Sequence, residues 1–282
     1  MQKLTSLIVI GCFGTCLAIF SSAGLAQWDP FLRDVPLLPD GSPDMNAPAP
    51  RKADGTLDLS GTWNWIHYNP GGVQGRSVGV PVEPPPGVAP YATFWDQGFG
   101  YADGLPYQDW AREERERRVA NFGVENPDSH CLPLGHMQFH THNQPREIIQ
   151  SEDRLIILYE ASAGVREIFL DGRSLPEQGS ALPYWYGYSV GHWEGDTLVV
   201  VSNNFRDNGW LDFYGSPTTD KLFITERFNR PTYGKLEIDI IIEDPGAYTE
   251  PFGLRVDQAI LPGEQLIEWV CENEQSVQYF NQ

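Results

Sequence analysis

The chain has 282 residues, and its 38 acidic side chains outnumber its 19 basic ones, which gives a formal net charge of −19 at pH 7. A surface this negative repels phosphate backbones and anionic lipid head groups, so the sequence predicts neither a nucleic-acid partner nor a peripheral membrane role. The length suffices for one large domain or two small ones.

The N-terminus has the order of a secretory signal peptide. Lys3 supplies a positive start, residues 5–20 are apolar or small without a charge, and small residues stand at the −3 and −1 positions before Gln27. This order predicts removal of residues 1–26 and a periplasmic or secreted protein, with no membrane contact after cleavage. The alternatives are a membrane anchor, for which the run is short, and a lipoprotein site at Cys12, which would cut the apolar run in half.

Beyond the predicted cleavage site, the sequence divides into an arm and a single β domain. Residues 27–58 are rich in proline, aspartate and glycine, which predicts an extended N-terminal arm. The β domain is expected to span residues 59–282. Inside it, residues 70–92 are typical of a Pro/Gly-rich insertion, and residues 107–121 mix acidic and basic side chains with few apolar ones, which predicts one surface helix.

From residue 144 onward, short apolar runs alternate with polar turns at a spacing of roughly ten residues. The predicted strands are 147–150, 155–160, 165–170, 191–193 paired with 197–201 as a hairpin, 221–228, 235–243 and 266–271. This pattern predicts an all-β fold, an antiparallel meander that forms either a lipocalin-like barrel or a related sandwich. Glu226 and Arg227 lie in the middle of one strand, so one of the two charges must point inward, where it requires a partner.

Two cysteines, Cys131 and Cys271, remain after the predicted cleavage. Because an oxidising compartment favours pairing of an even number of cysteines, the sequence predicts a Cys131–Cys271 disulfide. The alternative is a pair of buried free thiols.

Eight sequence blocks carry a resemblance to a known family. They read DLSGTW (58–63), CLPLG (131–135), REIFLDGRSLP (166–176), GYSVGHWEGDTLVV (187–200), LDFYGSP (211–217), ITERFNRP (224–231), IEDPGAYTEPF (242–252) and LIEWVCENE (266–274). In these blocks the chain resembles a large uncharacterised family of secreted bacterial β-proteins. The resemblance implies export and a β fold, and it implies no particular activity.

The chain departs from the family pattern in two places. After LDFYGSP the family usually has a His-Ser pair, where this chain has Thr218 and Thr219. After CLPLG the family usually has apolar and proline positions, where this chain has the His-rich residues 136–143. Separately, the start Gly61-x-Trp63 is similar to the opening of lipocalin-like barrels, in which a tryptophan plugs the barrel floor. That similarity favours a barrel over a sandwich.

The sharpest local feature is the histidine cluster of residues 136–142. If this stretch is a strand, alternate residues share one face, so the imidazoles can converge on a metal. The predicted ligands are His136, His140, His142 and Glu147, with His130 and His192 as further candidates, and the suitable ions are zinc, iron, manganese or copper. Without a metal, His140 and His142 are candidates for acid–base catalysis. The structural alternative is a set of imidazoles that only pack and hydrogen-bond.

Aromatic residues are dense, and the densest run is Tyr184-Trp185-Tyr186. Aromatic faces bind sugar rings and apolar molecules, so these three residues, with Trp63, are the predicted ligand-binding residues. The sequence therefore favours a protein that binds a small apolar, aromatic or sugar-like molecule. The alternative is an enzyme built on the histidine cluster, either a metal-dependent hydrolase or hydratase or an acid–base lyase or isomerase. The sequence leaves the oligomeric state open.

Overall fold

A computed structural model describes residues 34–68, 83–269 and 271 of the chain. The predicted signal peptide, the first seven residues of the predicted arm and residues 70–82 of the predicted insertion lie outside the described residues. All described residues belong to one compact unit.

Nine strands close into a barrel, so the predicted all-β fold is confirmed and the barrel is the correct alternative. The strands are β1 (Gly61–Trp65), β2 (Arg146–Gln150), β3 (Arg154–Tyr159), β4 (Val165–Phe169), β5 (Tyr188–Glu194), β6 (Thr197–Asn203), β7 (Gly209–Trp210), β8 (Pro217–Thr218), β9 (Phe223–Thr232), β10 (Lys235–Glu243) and β11 (Phe252–Ile260). Around the barrel the order is β1-β11-β10-β9-β6-β5-β4-β3-β2, and β7 and β8 pair separately.

Alternating side chains decide which face of each long strand points into the barrel. Along β9, Ile224, Glu226 and Phe228 are fully buried, whereas Arg227 is exposed. On β10 the isoleucines at even-numbered positions are buried in the same way. Since neighbouring side chains of a strand point to opposite faces, Glu226 lies inside the barrel. The expectation that one charge of the Glu226–Arg227 pair points inward is confirmed.

Three details of the strand prediction are wrong. β4 and β5 pair in parallel, so the barrel is not a pure antiparallel meander, and residues 170–187 form the long connection that a parallel pair needs. β11 was not predicted; its alternation of apolar and polar residues over 252–257 is interrupted by the buried Gln258 on the inner face. No strand is present among the described residues of the predicted strand 266–271.

Two α-helices are present in the described part of the chain, α1 (Asp109–Ala120) and α2 (His136–Thr141). The first confirms the predicted surface helix, with Ala111 and Arg118 as its buried side. The second corrects the prediction of a strand over the histidine cluster. In α2 all six side chains are buried, and Phe139 packs against Tyr159 of β3 with ring centroids 4.4 Å apart. Neither helix, nor any other described one, is long and apolar enough to cross a membrane.

Trp63 lies inside the barrel as a structural plug. Its indole is fully buried, and its Nε1–H donates to the carbonyl of Leu59 at 3.0 Å. The Arg230 guanidinium lies 4.7 Å from the centre of the indole ring. The enclosed indole is thus part of the barrel core, and its predicted role in ligand binding stays a prediction.

The arm and the C-terminal segment are both fastened to the barrel. In the arm, Leu57 is buried in the core and Arg51 forms an ion pair with Asp196 at 2.7 Å. The predicted disulfide between Cys131 and Cys271 is present. It joins the segment that leads into α2 to the segment that follows β11.

Candidate functional site: a histidine–carboxylate cluster below an aromatic cleft

Two histidines of α2 and one glutamate of β9 meet inside the barrel. His136 and His140 are four residues apart, which places them on one face of a helix. That face is turned to the inner side of β9, where the Nε2 atom of His140 lies 2.7 Å from Oε1 of Glu226. The Nε2 atom of His136 lies 3.4 Å from the same oxygen but makes no hydrogen bond. Among the described residues, these three form the one group whose nitrogen and oxygen atoms could hold a metal ion.

Arg166 of β4 supplies the positive partner that Glu226 requires. Its guanidinium contacts both oxygens of the carboxylate, with Nη1 at 3.0 Å from Oε1 and Nη2 on Oε2. Nη2 also donates to the hydroxyl groups of Ser189 and Ser202, at 3.3 and 3.2 Å. A buried bidentate pair of this kind replaces the water that each ion loses.

The charges in the cluster follow from burial and from this pairing. Burial alone would raise the pKa of Glu226, but the Arg166 charge and the two histidines hold it well below its usual range. Burial lowers the pKa of His136 to about 4 and also lowers the pKa of His140. At neutral pH the cluster therefore contains an ionised carboxylate, a guanidinium and two neutral imidazoles.

The tautomers of the two imidazoles follow from their neighbours. His140 must donate from Nε2, because an ionised carboxylate only accepts. The Nδ1 atom of His136 lies 3.3 Å from the carbonyl oxygen of Tyr186, so this atom carries the proton. The bare Nε2 of His136 then faces the Glu226 oxygen, which is a second acceptor. Two acceptors facing each other at 3.4 Å are an unfavourable contact.

The other predicted metal ligands lie elsewhere. His142 is beyond the end of α2, where its ring contacts Phe94 with centroids 5.1 Å apart and its Nδ1 accepts from the backbone of Gln144. Glu147 is an outward residue of β2, since its neighbours Arg146 and Ile148 are buried. The correction has one cause: a helix brings residues 136 and 140 together and turns residue 142 away, whereas the strand expected from the sequence would have aligned all three.

The two further histidine candidates also lie outside the cluster. His130 contacts the carbonyl oxygen of Val124 through Nε2 at 2.9 Å. His192 is exposed on β5 and contacts Glu194 at 3.2 Å.

An aromatic cleft of about 190 Å³ opens beside the cluster. Three aromatic rings line it, those of Trp185, Phe205 and Trp210. His136 belongs to both the cleft and the buried cluster, and its ring meets that of Phe205 edge-on with centroids 5.6 Å apart. The remaining residues of the lining are Pro127, Gly135, Arg206, Asp207, Asn208, Gly209, Leu211, Thr218 and Leu222.

The predicted aromatic run is divided by the structure. Trp185 lines the cleft, and the Arg206 guanidinium lies 4.1 Å from the centre of its ring. Tyr186 packs behind the cleft against Phe139, with ring centroids 5.0 Å apart. Tyr184 is exposed and contacts Tyr188. Of the predicted ligand-binding residues, Trp185 is thus the one that reaches the cleft.

Gly135 allows the start of α2 to pack closely against the backbone of Trp210, which lines the cleft. A Cβ atom at this position would lie 1.7 Å from the carbonyl oxygen of Trp210, so only glycine permits this contact. The backbone N–H of Gly135 donates to the side chain of Gln138 at 2.9 Å, which fixes the first turn of α2. The CLPLG block therefore sets the position of His136 relative to Trp210.

The Thr218-Thr219 pair follows the LDFYGSP block directly. Thr218 lines the cleft, so a histidine in its position would stand at the cleft as well. Thr219 instead binds the carboxylate of Asp244, through its hydroxyl and its backbone N–H, each at 2.6 Å.

Sequence reasoning missed Phe205, Trp210 and Arg166. The two aromatic residues follow a strand without any local motif. The sequence predicts that the inward Glu226 needs a positive partner, but it does not show that this partner is Arg166. Comparisons of the chain with protein-family models, with curated proteins and with solved structures find no match.

Proposed function

We propose that the protein binds a small molecule with a single ring, apolar, aromatic or sugar-like, in the aromatic cleft. The observation that carries this proposal is the convergence of Trp185, Phe205 and Trp210 on one concave site. Aromatic faces provide apolar area for a ring, and the exposed polar residues Arg206 and Asn208 at the cleft can hydrogen-bond to substituents.

The size of the cleft supports a one-ring ligand. An apolar cavity of about 150 Å³ is known to hold benzene. The cleft, at about 190 Å³, therefore has room for one six-membered ring with small substituents and too little room for a long isoprenoid chain. A second aromatic-lined cavity, beside Trp65 and Tyr91, measures about 60 Å³, which is the liquid volume of roughly two water molecules.

We further propose export to the periplasm or the medium, membership of the family that the sequence blocks resemble, and a lipocalin-like barrel. The Cys131–Cys271 disulfide supports export, because such bonds persist in oxidising compartments. The buried Trp63 next to Leu59 supports the lipocalin-like opening of the barrel.

Catalysis is the second candidate function, and its basis is that His136 belongs to both cleft and cluster. A metal-dependent hydrolase or hydratase, or an acid–base lyase or isomerase, would act through this residue. His140 and His142, the residues predicted for acid–base work, do not line the cleft. Both nitrogens of His136 are directed at protein oxygens, so proton transfer to a ligand would require its ring to turn. Binding is therefore the function that the geometry supports better.

Isothermal titration calorimetry with a panel of monosaccharides, phenols and benzoates tests the binding proposal. We expect at least one single-ring compound to bind, and Trp185→Ala to weaken that Kd about tenfold or more, because a stacked ring contributes about 0.5–1.5 kcal/mol beyond its buried area. Trp110→Ala is the matched control, since Trp110 is half exposed on α1 and does not line the cleft. Equal affinity in the two variants would remove the cleft from consideration.

A further inference from the structure

The three facing atoms of the histidine–carboxylate cluster lie within 4.8 Å of one another, and both histidine nitrogens are close to the distance from the Glu226 oxygen that metal ligands keep. Zinc bonds of about 2.0–2.2 Å to nitrogen and oxygen place two tetrahedral ligand atoms roughly 3.3 Å apart. The Nε2 atom of His136 is already 3.4 Å from Oε1 of Glu226. The Nε2 atom of His140, at 2.7 Å from that oxygen, would have to move back by about half an ångström.

The unpartnered nitrogen of His136 also indicates an ion. Its Nε2 is buried without a hydrogen-bond partner and lies 3.4 Å from Oε1 of Glu226. Its other nitrogen is held by the carbonyl oxygen of Tyr186, as is usual for histidines that bind a metal. A cation between Nε2 and the carboxylate would supply the missing partner of this nitrogen and a second partner for the oxygen.

We propose that His136, His140 and Glu226 form a binding site for one divalent transition-metal ion, zinc in the first instance. This inference does not depend on the proposed ligand of the cleft. It keeps two of the histidines expected from the sequence and replaces His142 and Glu147 by Glu226.

The charge of the cluster selects the kind of ion. Arg166 already neutralises Glu226, so the site offers an incoming dication two neutral imidazoles and little net negative charge. Mg²⁺ and Ca²⁺ rely on several oxygen ligands and find only one carboxylate here. Zn²⁺ and Cu²⁺ bind imidazole strongly enough to tolerate the neighbouring guanidinium. Because His136 lines the cleft, an ion can enter from solvent along that side.

Calorimetric titration of chelator-treated protein with Zn²⁺, and the visible spectrum of the Co²⁺ form, test the proposal. We expect one equivalent of Zn²⁺ to bind and Co²⁺ to give the absorption bands of a four-coordinate site. His140→Gln and His136→Gln should each weaken the Zn²⁺ Kd at least about tenfold, a loss that outer-shell partners alone can already produce. Glutamine at position 140 can still donate to Glu226, so this variant preserves the hydrogen bond and with it the fold.

His142→Gln and His192→Gln are the matched controls, one close to the cluster and one on the surface. The proposal predicts that both bind Zn²⁺ as the unmodified protein does. It is overturned if the unmodified protein takes up no stoichiometric Zn²⁺ or Co²⁺. It is equally overturned if affinity survives in both cluster variants and is lost in His192→Gln, which would assign the ion to the exposed His192–Glu194 pair. Circular dichroism of each variant shows that the barrel is intact.

Discussion

At the scale of single residues, the stability of the fold depends on the buried charge of Glu226 and on its partner Arg166. Glu226 is completely enclosed, and Arg166, 1% exposed, reaches it from β4 across the barrel interior. The sequence predicts the need for such a partner, because a charge on the inner face of a strand is costly when unpaired. It does not identify Arg166, because the two residues are 60 positions apart and meet only when the barrel closes.

Arg166→Met should destabilise the protein by about 3–5 kcal/mol, because it leaves a buried carboxylate without its cation. The double variant Arg166→Met/Glu226→Leu should regain part of that loss, since no charge then remains to be paired. Arg227→Met is the control, because the exposed Arg227–Glu194 pair contributes at most about 1 kcal/mol. Urea denaturation measures the three values. A loss for Arg166→Met as small as that for Arg227→Met would contradict this role for the pair.

At the scale of elements, the strands with a clear alternation were predictable and the histidine segment was not. Residues 136–140 alternate polar and apolar side chains, which favours a strand. Tertiary contacts override the pattern: Gly135 packs against Trp210, Gln138 accepts from the first backbone N–H, and every side chain of α2 is buried. The change from strand to helix explains why His136 and His140 meet and His142 does not.

Helix α1 supports the cleft from outside through Arg118. This guanidinium is almost fully buried, lies 4.6 Å from the centre of the Trp210 ring, and forms an ion pair with Glu114 at 2.9 Å. Hydrogen bonds from Arg117, together with the charge of Arg118, lower the pKa of Glu114 to about 2 from 4.5. An acid with a depressed pKa stabilises the fold above its unfolded pKa and loses that contribution as the pH falls through the folded one.

Glu114→Gln should therefore lower the melting temperature at pH 6–7, and its difference from the unmodified protein should shrink as the pH falls from about 4.5 towards 2. Glu116→Gln, an exposed glutamate on the same helix, should change the melting temperature little at any pH. Thermal denaturation followed by circular dichroism compares the three proteins. A constant difference between Glu114→Gln and the unmodified protein across that pH range would show that the ion pairs of Glu114 do not contribute as described.

At the scale of the whole molecule, the barrel encloses a polar cluster, and the aromatic cleft lies beside it, between α2, the β4–β5 connection and the segment that follows β6. The sequence predicts the barrel from the alternation in its strands, the disulfide from the even number of cysteines, and Trp185 from a dense aromatic run. The sequence could not predict the cleft, because its lining residues come from separate elements. Phe205 follows β6, Trp210 lies in β7 and His136 lies in α2. Those contacts arise from the order of the strands, which no short motif encodes.

The disulfide joins Cys131, before α2, to Cys271, after β11, which are 140 residues apart in the sequence. The double variant Cys131→Ser/Cys271→Ser should lose about 2–5 kcal/mol of stability, because the unfolded chain is released from a large loop. Denaturation of the oxidised protein with and without reductant provides the comparison. If neither reduction nor the double variant shifts the midpoint, the disulfide is not needed to hold the C-terminal segment in place.

The central claim is that the cleft between Trp185, Phe205 and Trp210 binds a ring. A crystal structure of the protein with the tightest compound of the calorimetric panel tests it most directly. We expect electron density for the compound with its ring within van der Waals contact of Trp185 and Trp210 and beside His136. Density for the compound at any other place, with the cleft holding only water, would contradict it.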